Sequence, residues 1–550
     1  MKLLIIGGVA GGASAATRAR RLSEAAQIVL FERGPDVSFA SCGLPYYIGG
    51  AIADRQKLLV TMPERLRQRF AIDVRLHSDV EAIDRSRKII RVRDWATQQT
   101  YEEAYDKLIL APGAAPLRPP LPGLDLPGIH TLRHLQDMDR IKAAIDQGAR
   151  RAIVIGAGFI GLELVENLVQ RQVETALVEL QDQILPPFDK EMTTPLMQVL
   201  RDQGVQLYLG QSAERFEACP AGIKVTLKSG QTLEAPLVLL GVGVRPENAL
   251  ATAAGLEVGP RGGIRVNQQM QTSDPDIYAV GDAIESRDFL TGDPAQLALA
   301  GPANRQGRLA AEHALRQRPV CFRGYQGTAI VGCFGRVAAM TGASEKSLRR
   351  GQRPFRAVYL HPGHHASYYP GAEVMTIKLL FAPDDGKLLG AQIVGGAGVD
   401  KRIDVLSMAL QGGMTVYDLE EAELAYAPQF GSAKDPINMA GFVAAGLLRG
   451  DQPQITAAEL LTLQSKPLIL DVRTKDEFDK DHIPGAQHIP IDELRAIGKT
   501  LPKDQLVVTY CHVGYRGYLA TRILLQQGYQ VRNLSGGFAA YRLLVPRGTG

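Results

Sequence analysis

A glycine-rich turn between an apolar segment and a helix-favouring segment occurs at the start of this chain and again in its second quarter. The first copy reads KLLIIGGVAGGASAATRARRL and the second reads RAIVIGAGFIGLELVENL. A short run of branched apolar residues is typical of a parallel strand buried on both faces. Glycines after such a strand let the backbone approach a pyrophosphate held at the helix N-terminus. The repeated pattern predicts two dinucleotide-binding α/β folds.

The first copy departs from the G-x-G-x-x-G spacing, because Val9 stands where the middle glycine is expected. The next apolar segment, QIVLFER, leads to Glu32, at about the 20-residue distance where a carboxylate receives ribose hydroxyls. The glycines predicted to bind the dinucleotide here are Gly7, Gly8, Gly11 and Gly12.

The second copy has the complete fingerprint in Gly156, Gly158 and Gly161. The following segment, TALVEL, places Glu179 where a carboxylate would accept a hydrogen bond from a ribose 2′-OH and repel a 2′-phosphate. NADH is therefore favoured over NADPH, although basic side chains nearby could reverse that preference.

Composition excludes several other classes of protein. A chain of 550 residues is too long for one core, and 62 basic against 58 acidic residues give no reason to expect nucleic acid or a membrane as partner. The apolar run at the N-terminus is shorter than the roughly 7–15 residues of a signal peptide. Five scattered cysteines do not form a disulfide framework, so a cytoplasmic location is expected.

A third motif, TSDPDIYAVGDA at residues 272–283, resembles the second flavin motif of the pyridine nucleotide-disulfide oxidoreductases. The segment YDKLILAPGAAP resembles the strand and turn that precede the NAD domain in that family. The resemblance implies that Asp282 holds the ribityl chain of FAD, that FAD is bound permanently and that NADH exchanges.

The motifs together imply an α/β fold class: two Rossmann-like FAD/NAD(P)-binding domains, an α+β dimerisation domain and a C-terminal rhodanese-like α/β domain. The expected boundaries are residues 1–112 and 245–320 for FAD, 113–244 for NAD(H), 321–450 for dimerisation and 451–543 for the last domain. Residues 544–550, LVPRGTG, resemble the remnant of a protease-cleavage tag.

Cys42, in SFASCGLPYYIGG, has no second cysteine nearby. Its predicted place at a helix N-terminus favours the nucleophilic thiolate. The segment resembles the coenzyme A disulfide reductases and, more closely, their rhodanese-fused relatives that act as NADH-dependent persulfide reductases. This resemblance implies that coenzyme A, as a bound ligand or as a mixed disulfide on Cys42, supplies the second sulfur.

The same resemblance implies further site residues. Tyr368 and Tyr426 would reach from the partner subunit of a homodimer towards the reactive cysteine, where a phenol can donate a proton to a leaving thiolate. Two departures affect substrate preference, because Ser41 stands where the family often has Asn, and Phe430 lacks a hydroxyl. The expected coenzyme A ligands are Arg18, Arg21, Ser38, Phe39, Ser41, Asn304 and Arg305. For the arginines, a solvated helix face remains an equal alternative.

The C-terminal segments PLILDVRTKDEFDKDHIPGAQHIP and QLVVTYCHVGYRGYLATRILLQQGY look like a single-domain rhodanese. Cys511 follows a strand and begins a six-residue loop that closes on Arg516. Backbone N–H groups in such a loop converge on the sulfur and favour a thiolate that can carry a persulfide. Asp471 and Arg473 are expected to organise the domain, and no metal is expected.

These inferences predict an enzyme that passes electrons from NADH through FAD to Cys42 and reduces small thiol-linked substrates: persulfides, polysulfides or disulfides. Sulfide and thiol would be the products. Three alternatives remain open: an NADH oxidase or peroxidase that cycles through a cysteine sulfenic acid, a plain coenzyme A disulfide reductase, and a redox-sensing or sulfur-trafficking adaptor.

Overall fold

The structure is a computed structural model that describes residues 1–316, 321–497 and 500–546. The chain divides into two compact units. The first contains Met1–Asp182 and Gly204–Tyr325, and the second contains Gln183–Gln203 and Gln326–Gly550. Part of the suspected tag remnant, residues 547–550, lies outside the described residues.

The first unit begins with a parallel sheet built on the apolar N-terminal strand, whose Leu3, Leu4 and Ile5 are fully buried. The strand order is β19-β7-β1-β2-β3, with β1 at Lys2–Ile6, β2 at Gln27–Phe31, β3 at Asp73–Arg75, β7 at Lys107–Leu110 and β19 at Ile277–Ala279. The helices α1, Ala10–Leu22, and α8, Ala300–Arg316, pack against each other along their lengths. This is the first predicted dinucleotide fold.

Smaller elements complete this fold. Its smaller strands pair antiparallel, except that β18 pairs with β20 in parallel. They are β4 Ser78–Asp84, β5 Ile89–Asp94, β6 Gln99–Ala104, β8 Ala114–Pro116, β17 Val244–Pro246, β18 Ile264–Arg265, β20 Ile284–Arg287 and β21 Pro294–Ala295. The helices are α2 Leu44–Gly49, α3 Pro63–Phe70 and α7 Ala249–Ala253, with short 3₁₀ turns at Ser41–Gly43, Arg55–Leu58 and Gly281–Ala283.

The second dinucleotide fold has a parallel sheet in the order β12-β11-β10-β16-β9. Its strands are β9 Ile129–Thr131, β10 Arg151–Ile155, β11 Glu174–Glu179, β12 Gln206–Leu209 and β16 Leu237–Leu240, and its helices are α4 Leu135–Asp146 and α5 Phe159–Gln170. An antiparallel sheet of β13 Ala213–Cys219, β14 Gly222–Leu227 and β15 Thr232–Ala235 accompanies it. Two dinucleotide folds in one chain are thereby confirmed.

The second unit contains an antiparallel sheet in the order β22-β23-β26-β25-β24. Its strands are β22 Ala329–Cys333, β23 Arg336–Gly342, β24 Arg356–Leu360, β25 Thr376–Phe381 and β26 Leu388–Gly395. Its helices are α6 Lys190–Asp202, α9 Glu345–Arg350, α10 Val399–Gly412, α11 Val416–Glu420 and α12 Pro436–Leu448. The helix α6 clusters with this sheet, whereas the sequence placed its residues within the NAD domain at 113–244.

The same unit ends in a small α/β domain with a parallel sheet in the order β27-β31-β30-β28-β29. Its strands are β27 Gln454–Ile455, β28 Leu468–Asp471, β29 Gln487–His488, β30 Val507–Tyr510 and β31 Val531–Leu534. Its helices are α13 Ala457–Thr462, α14 Lys475–Lys480, α15 Leu494–Ile497, α16 Tyr515–Gln526 and α17 Gly537–Leu544. In the described part of the chain, no helix combines the length and the apolar character that a bilayer crossing needs.

A buried lysine ties α6 to the antiparallel sheet of the second unit. Lys378 on β25 is 1% exposed, and its Nζ lies 2.9 Å from Asp189 Oδ2, 2.6 Å from Glu191 Oε1 and 2.7 Å from Glu345 Oε2. Tyr359 donates a further hydrogen bond to Glu191. The three carboxylates lie close enough to one another to bind a cation. The ammonium group of Lys378 takes the position that such a cation would have.

We expect Lys378→Met to lower the free energy of unfolding by about 3–5 kcal/mol, because it leaves buried carboxylates without their counter-charge. The measurement is urea denaturation of the FAD-loaded chain. Lys387→Met, which changes an exposed lysine just before β26, is the matched control and should stay within about 0.5 kcal/mol. Equal effects of the two variants would contradict this account.

Candidate active sites around Cys42 and Cys511

Backbone contacts fix the first glycine turn. A Cβ on Gly7 would overlap the carbonyl oxygen of Ala111, and a Cβ on Gly12 would overlap that of Gly7. Gly7 also has a φ of +97°, which L side chains rarely adopt. The carboxylate of Glu32 accepts from the Gly8 N–H at 2.8 Å, and its other oxygen accepts from the Gly34 N–H. The predicted glycines and Glu32 are thus brought together.

The second glycine turn repeats this arrangement. A Cβ on Gly161 would overlap the carbonyl oxygen of Gly156, whereas a Cβ on Gly158 would meet open space. Glu179 accepts from the Ala157 N–H at 2.7 Å and from the Gln181 N–H at 2.9 Å. A carboxylate oxygen with one such donor keeps a free lone pair, so Glu179 can still accept from a ribose hydroxyl. The residues fit a nicotinamide dinucleotide.

Asp282 lies in the 3₁₀ turn Gly281–Ala283, which follows β19. Burial raises the pKa of its carboxyl, and Arg133 opposes that change. The Gly281 N–H donates to Gln306 Oε1 at 2.9 Å, and Gln306 in turn donates to the hydroxyl of Tyr325. A half-buried carboxyl on a turn fixed in this way fits a ligand that offers hydroxyl groups, as the ribityl chain of FAD does. Gln306 was not predicted from the sequence, because only the packing of α8 brings it to this turn.

Two facing glycines allow α1 and α8 to meet at backbone distance. A Cβ on Gly307 would overlap the carbonyl oxygen of Gly11. Close to this point, Ser14 donates a hydrogen bond to Asn304 Oδ1. Asn304 was predicted to bind coenzyme A, and its side chain also donates to the Ala300 carbonyl within α8.

Cys42 lies in the turn Ser41–Gly43 that leads into α2. Cys42 is exposed as a residue, yet the protein around its thiol raises the thiol's pKa by desolvation. The carboxylate of Glu163 raises it further, and a hydrogen bond with Ser41 lowers it. The sequence predicted a favoured thiolate from the helix N-terminus, whereas burial and Glu163 raise the pKa of the thiol.

Glu163 and Tyr46 were not predicted from the sequence. The hydroxyl of Tyr46 donates to Glu163 Oε1 at 3.2 Å. Burial raises the pKa of Glu163, and burial together with Glu163 raises the pKa of Tyr46 to about 12. Glu163 lies on α5, two residues after the second glycine fingerprint, and its position in the sequence does not link it to Cys42. The packing of α2 against α5 brings its charge near the Cys42 thiol.

A cluster of arginines lies on α1 and α8. Desolvation lowers the pKa of the exposed Arg21, and the positive charges of Arg308 and Arg18 lower it further. Arg18 is engaged by Glu312, which accepts from Arg18 Nε at 2.9 Å. Arg308 was not predicted, since only the contact between α1 and α8 brings it near Arg21. The cluster carries net positive charge at the surface.

The other predicted coenzyme A residues have different surroundings. Ser38 has a φ of +50° and donates its N–H to the Gly8 carbonyl. Phe39 is buried edge-on to His134, while Arg305 is exposed on α8.

Tyr368 and Tyr426 are brought together, although 58 positions separate them in the chain. Their hydroxyl oxygens are 2.8 Å apart, and this hydrogen bond raises the pKa of Tyr368. The two residues are 73% and 48% exposed, and Phe430 is exposed as well. The pair is therefore a hydrogen-bonded phenol couple on the surface of its unit.

Cys511 lies directly after β30 and is 1% exposed. The Gly514 N–H donates to its sulfur at 3.2 Å, and the Arg516 side chain forms a hydrogen bond with the same cysteine. Gly514 has a φ of +100°, and a Cβ on Gly537 would overlap the Cys511 carbonyl oxygen. The loop thus presents donors to the sulfur.

Two ion pairs surround this loop. Arg516 makes two hydrogen bonds of 2.7 Å to Glu477, and this contact lowers the pKa of Glu477 to about 2. Asp471 accepts from the backbone and side chain of Arg473, and both residues are buried. Asp471 and Arg473 therefore organise the strand end.

Comparison with known proteins identifies the family. Residues 1–307 match the pyridine nucleotide-disulphide oxidoreductase model, residues 331–435 match the dimerisation domain of the same family, and residues 456–543 match the rhodanese-like domain. The chain belongs to the pyridine nucleotide-disulphide oxidoreductases. It is a flavin-dependent oxidoreductase with a C-terminal rhodanese-like domain, and this confirms the predicted fold class.

Individual relatives cover most of the chain. A coenzyme A disulfide reductase of Staphylococcus epidermidis is 36% identical over 444 residues, 80% of this chain and 99% of the relative. The crystal structure of reduced Bacillus anthracis CoADR-RHD has 44% identity and a TM-score of 0.97, covering 99% of this chain and 98% of that chain. The structure of a NAD-dependent persulfide reductase from A. fulgidus has 34% sequence identity to this chain and a TM-score of 0.92, and the match covers 98% of this chain and 100% of that chain.

We expect Glu163→Gln to lower the pKa of the Cys42 thiol, because it removes a negative charge that disfavours the thiolate. The measurement is the rate of iodoacetamide alkylation of Cys42 against pH in the FAD-loaded protein, followed by peptide mass. Glu174→Gln, on the exposed end of β11, is the control. An unchanged or raised pKa in Glu163→Gln would contradict the assignment.

We expect the Glu477–Arg516 pair to stabilise the C-terminal domain only while Glu477 is ionised. Since its folded pKa is about 2, the stabilisation is complete above the ordinary value of about 4.3 and is lost as pH falls towards 2. Urea midpoints of the wild type and Glu477→Gln should therefore differ more at about pH 6 than at about pH 3.5. Asp479→Asn, which breaks an exposed pair, is the control. A pH-independent difference would refute the linkage.

Proposed function

We propose that this chain is an NADH-dependent reductase of persulfides, polysulfides and coenzyme A disulfide, with a rhodanese domain that carries sulfane sulfur. For a persulfide the reaction is R–S–SH + NADH + H⁺ → R–SH + H₂S + NAD⁺. The observation that carries the proposal is the presence, in one flavoprotein chain, of a lone cysteine beside the flavin turn and a second cysteine in a donor-lined rhodanese loop.

The dinucleotide turns assign the cofactors. Glu32 and Asp282 would hold FAD, and Glu179 would hold the ribose of NADH, with NADPH disfavoured by the negative charge at that position. FAD bound there supplies the transfer of electrons from the nicotinamide to sulfur on Cys42. The relative named as NAD-dependent supports the choice of NADH.

Cys42 is the proposed nucleophile. Its thiolate attacks the inner sulfur of R–S–SH, the S–S bond breaks, and HS⁻ leaves while Cys42 becomes linked to R through a disulfide. With coenzyme A as R, this product is the mixed disulfide on Cys42. Glu163, whose pKa is raised, can hold a proton near this sulfur, and the phenol of Tyr46 keeps the carboxyl in place.

The arginine cluster would bind the phosphates of coenzyme A. Arg21 and Arg308 present charge on adjacent helices, and Ser38, Phe39, Ser41, Asn304 and Arg305 would complete the ligand site around the turn. The likeness to coenzyme A disulfide reductases supports this assignment. Arg18, already paired with Glu312, would contribute through the field of the cluster.

A homodimer is part of the proposal, because residues 331–435 match a dimerisation domain. We place the Tyr368–Tyr426 pair of each subunit at the Cys42 of the other subunit, where a phenol would protonate the leaving HS⁻ or thiolate. The exposure of this pair in a single subunit supports that role. The reaction is proposed to take place in the cytoplasm.

A second candidate function is NADH oxidation by oxygen. A water-forming NADH oxidase from Lactobacillus brevis, solved with NADH bound, has 28% identity and a TM-score of 0.78 over 82% of this chain. In this chain, that activity would use FAD, NADH and one cysteine that cycles through sulfenic acid, and it would not need the rhodanese loop. Oxygen consumption distinguishes it from sulfur reduction.

The test is anaerobic NADH oxidation with coenzyme A persulfide and coenzyme A disulfide at equal concentration. We expect the persulfide to react faster, and Cys42→Ser to reduce the rate more than about a thousandfold with FAD still bound. Cys321→Ser, which changes an exposed cysteine, is the matched control. Faster turnover of the disulfide would indicate a plain coenzyme A disulfide reductase, and retained activity in Cys42→Ser would refute the proposed nucleophile.

A further inference from the structure

The phenol pair is carried by two loops that are distant in sequence. Tyr368 lies between β24 and β25, and Tyr426 lies between α11 and α12. Both side chains are exposed, and a hydrogen bond between exposed groups contributes little net stability because water competes for both partners. The 2.8 Å separation of the two hydroxyl oxygens must therefore be set by other contacts between the loops.

A buried ion pair lies at the base of both loops. Arg402 on α10 is 1% exposed, and Asp435, directly before α12, is 2% exposed. Arg402 Nη2 donates to Asp435 Oδ2 at 2.7 Å, and Arg402 Nε donates to Asp435 Oδ1 at 3.3 Å. A contact at two points between planar groups fixes their orientation as well as their distance.

Arg402 holds the base of the first loop. Its Nη2 also donates to the His364 carbonyl at 2.8 Å. The His364 N–H in turn donates to the Glu373 carbonyl at 2.9 Å, which closes the loop that contains Tyr368. One guanidinium thus contacts a carboxylate and the backbone carbonyl of a different segment at the same time.

Asp435 holds the end of the second loop. Its Oδ1 accepts from the Ile437 N–H at 3.0 Å and caps α12 where the loop that contains Tyr426 ends. The two loops also contact each other directly, because the Ala366 N–H donates to the Gly431 carbonyl at 2.8 Å. The ion pair and this backbone contact together connect the two loops.

Stability alone is a poor explanation for this ion pair. Removing two charges from water is costly, and well-packed apolar residues at such positions are often at least as stabilising. Apolar side chains, however, cannot hold two loops at fixed hydrogen-bond distances. The group that the two loops present together is the phenol pair, so the contacts of Arg402 and Asp435 favour a positioning role.

We propose that Arg402 and Asp435 are positioning residues that keep the hydroxyls of Tyr368 and Tyr426 at hydrogen-bond distance, so that the pair can donate a proton to a leaving thiolate. The inference rests on the role of the two tyrosines in the proposed function and names what orients them. Because both residues are buried, they act through the tyrosines.

The step concerned is the reduction of a disulfide. The Cys42 thiolate attacks one sulfur of coenzyme A disulfide, the S–S bond breaks, and the leaving thiolate takes the bonding electron pair. The phenol pair gives this thiolate a proton and regains one from water. A weakly basic thiolate leaves readily without a proton, so the benefit of the pair should increase with the basicity of the leaving group.

The experiment compares two substrates in the full-length, FAD-loaded chain without oxygen. The chain is reduced with NADH, and a single turnover is then followed with coenzyme A disulfide or with the mixed disulfide of coenzyme A and thionitrobenzoate. The first has a basic alkyl thiolate as leaving group, and the second has a weakly basic aryl thiolate. We expect Arg402→Met to lower the maximal rate with coenzyme A disulfide at least about tenfold and the rate with the mixed disulfide less than about twofold. The half-saturating concentrations should change less than about twofold, because the substrate does not contact Arg402.

Two further variants control for other effects of the substitution. Lys401→Met removes a charge 3.9 Å from Asp435 Oδ2 and leaves the Arg402 contacts in place, so it should change neither rate by more than about twofold. Arg402→Lys keeps the positive charge beside Asp435 but lacks the planar fork of donors, and it should reproduce the dependence on the leaving group to a smaller extent. If Arg402→Met does not fold, Arg402→Lys decides.

A spectroscopic measurement reports the arrangement of the phenols directly. The hydrogen bond with Tyr426 raises the pKa of Tyr368, and this pKa can be followed by fluorine NMR of the fluorotyrosine-labelled chain, with Tyr368→Phe to assign the signal. In Arg402→Met and Arg402→Lys the pKa of Tyr368 should fall towards that of an exposed tyrosine. Lys401→Met should leave it unchanged.

The outcomes separate this inference from the proposed function. If Tyr368→Phe leaves the turnover of coenzyme A disulfide unchanged, the proposed role of the tyrosines fails and this inference fails with it. If Tyr368→Phe slows that turnover but the Arg402 variants do not, only the positioning role is overturned. Equal slowing of both substrates, an unchanged pKa of Tyr368, or the same effects in Lys401→Met would also overturn it.

Discussion

The arrangement of the first unit depends on backbone approaching backbone at a few glycines. Gly12 packs onto the carbonyl of Gly7, and Gly161 packs onto that of Gly156, so each helix begins directly at the end of its strand. Gly307 lets α8 make the same close approach to α1 at Gly11. A methyl group at any of these positions would separate strand from helix or helix from helix. The glycines therefore fix where a pyrophosphate can lie.

The carboxylates at the ends of β2 and β11 follow from the same constraint. One carboxylate oxygen of Glu32, and likewise one of Glu179, accepts a hydrogen bond from a backbone N–H of its glycine turn. The other oxygen accepts from the backbone N–H of the residue two positions after the glutamate. Each carboxylate is thus pinned by the turn it faces before any ligand binds. Such preorganisation reduces the entropic cost of receiving the ribose. The same local arrangement would serve both of the proposed dinucleotides.

The sequence was informative where chemistry depends on near neighbours in the chain. Strand, turn and acidic residue predicted both dinucleotide folds, and Cys511 with Arg516 predicted the rhodanese loop. The sequence was uninformative where groups meet across elements: Glu163 faces Cys42 through the packing of α5 on α2, and Arg308 joins Arg21 through α8 on α1. The cluster at Lys378 unites three segments of the chain. The pattern of residues within one segment does not depend on which distant segment packs against it, so these contacts could not be predicted from one sequence.

The surroundings of the two cysteines differ, and this difference fits the division of labour in the proposed function. At Cys42, burial and the Glu163 carboxylate raise the pKa of the thiol, so the protein alone does not stabilise a free thiolate there. A sulfur-linked ligand or a bound flavin would change the surroundings of the thiol. At Cys511, the Gly514 N–H and Arg516 point at the sulfur without any ligand. Under the proposed function, Cys511 would meet its donors already in place when sulfur arrives, whereas the thiolate of Cys42 would form only once cofactor and substrate are in place. If the chain carries and reduces sulfane sulfur as proposed, the raised pKa at Cys42 has a use, because a permanent thiolate beside an electron-transferring cofactor would also react with unintended disulfides.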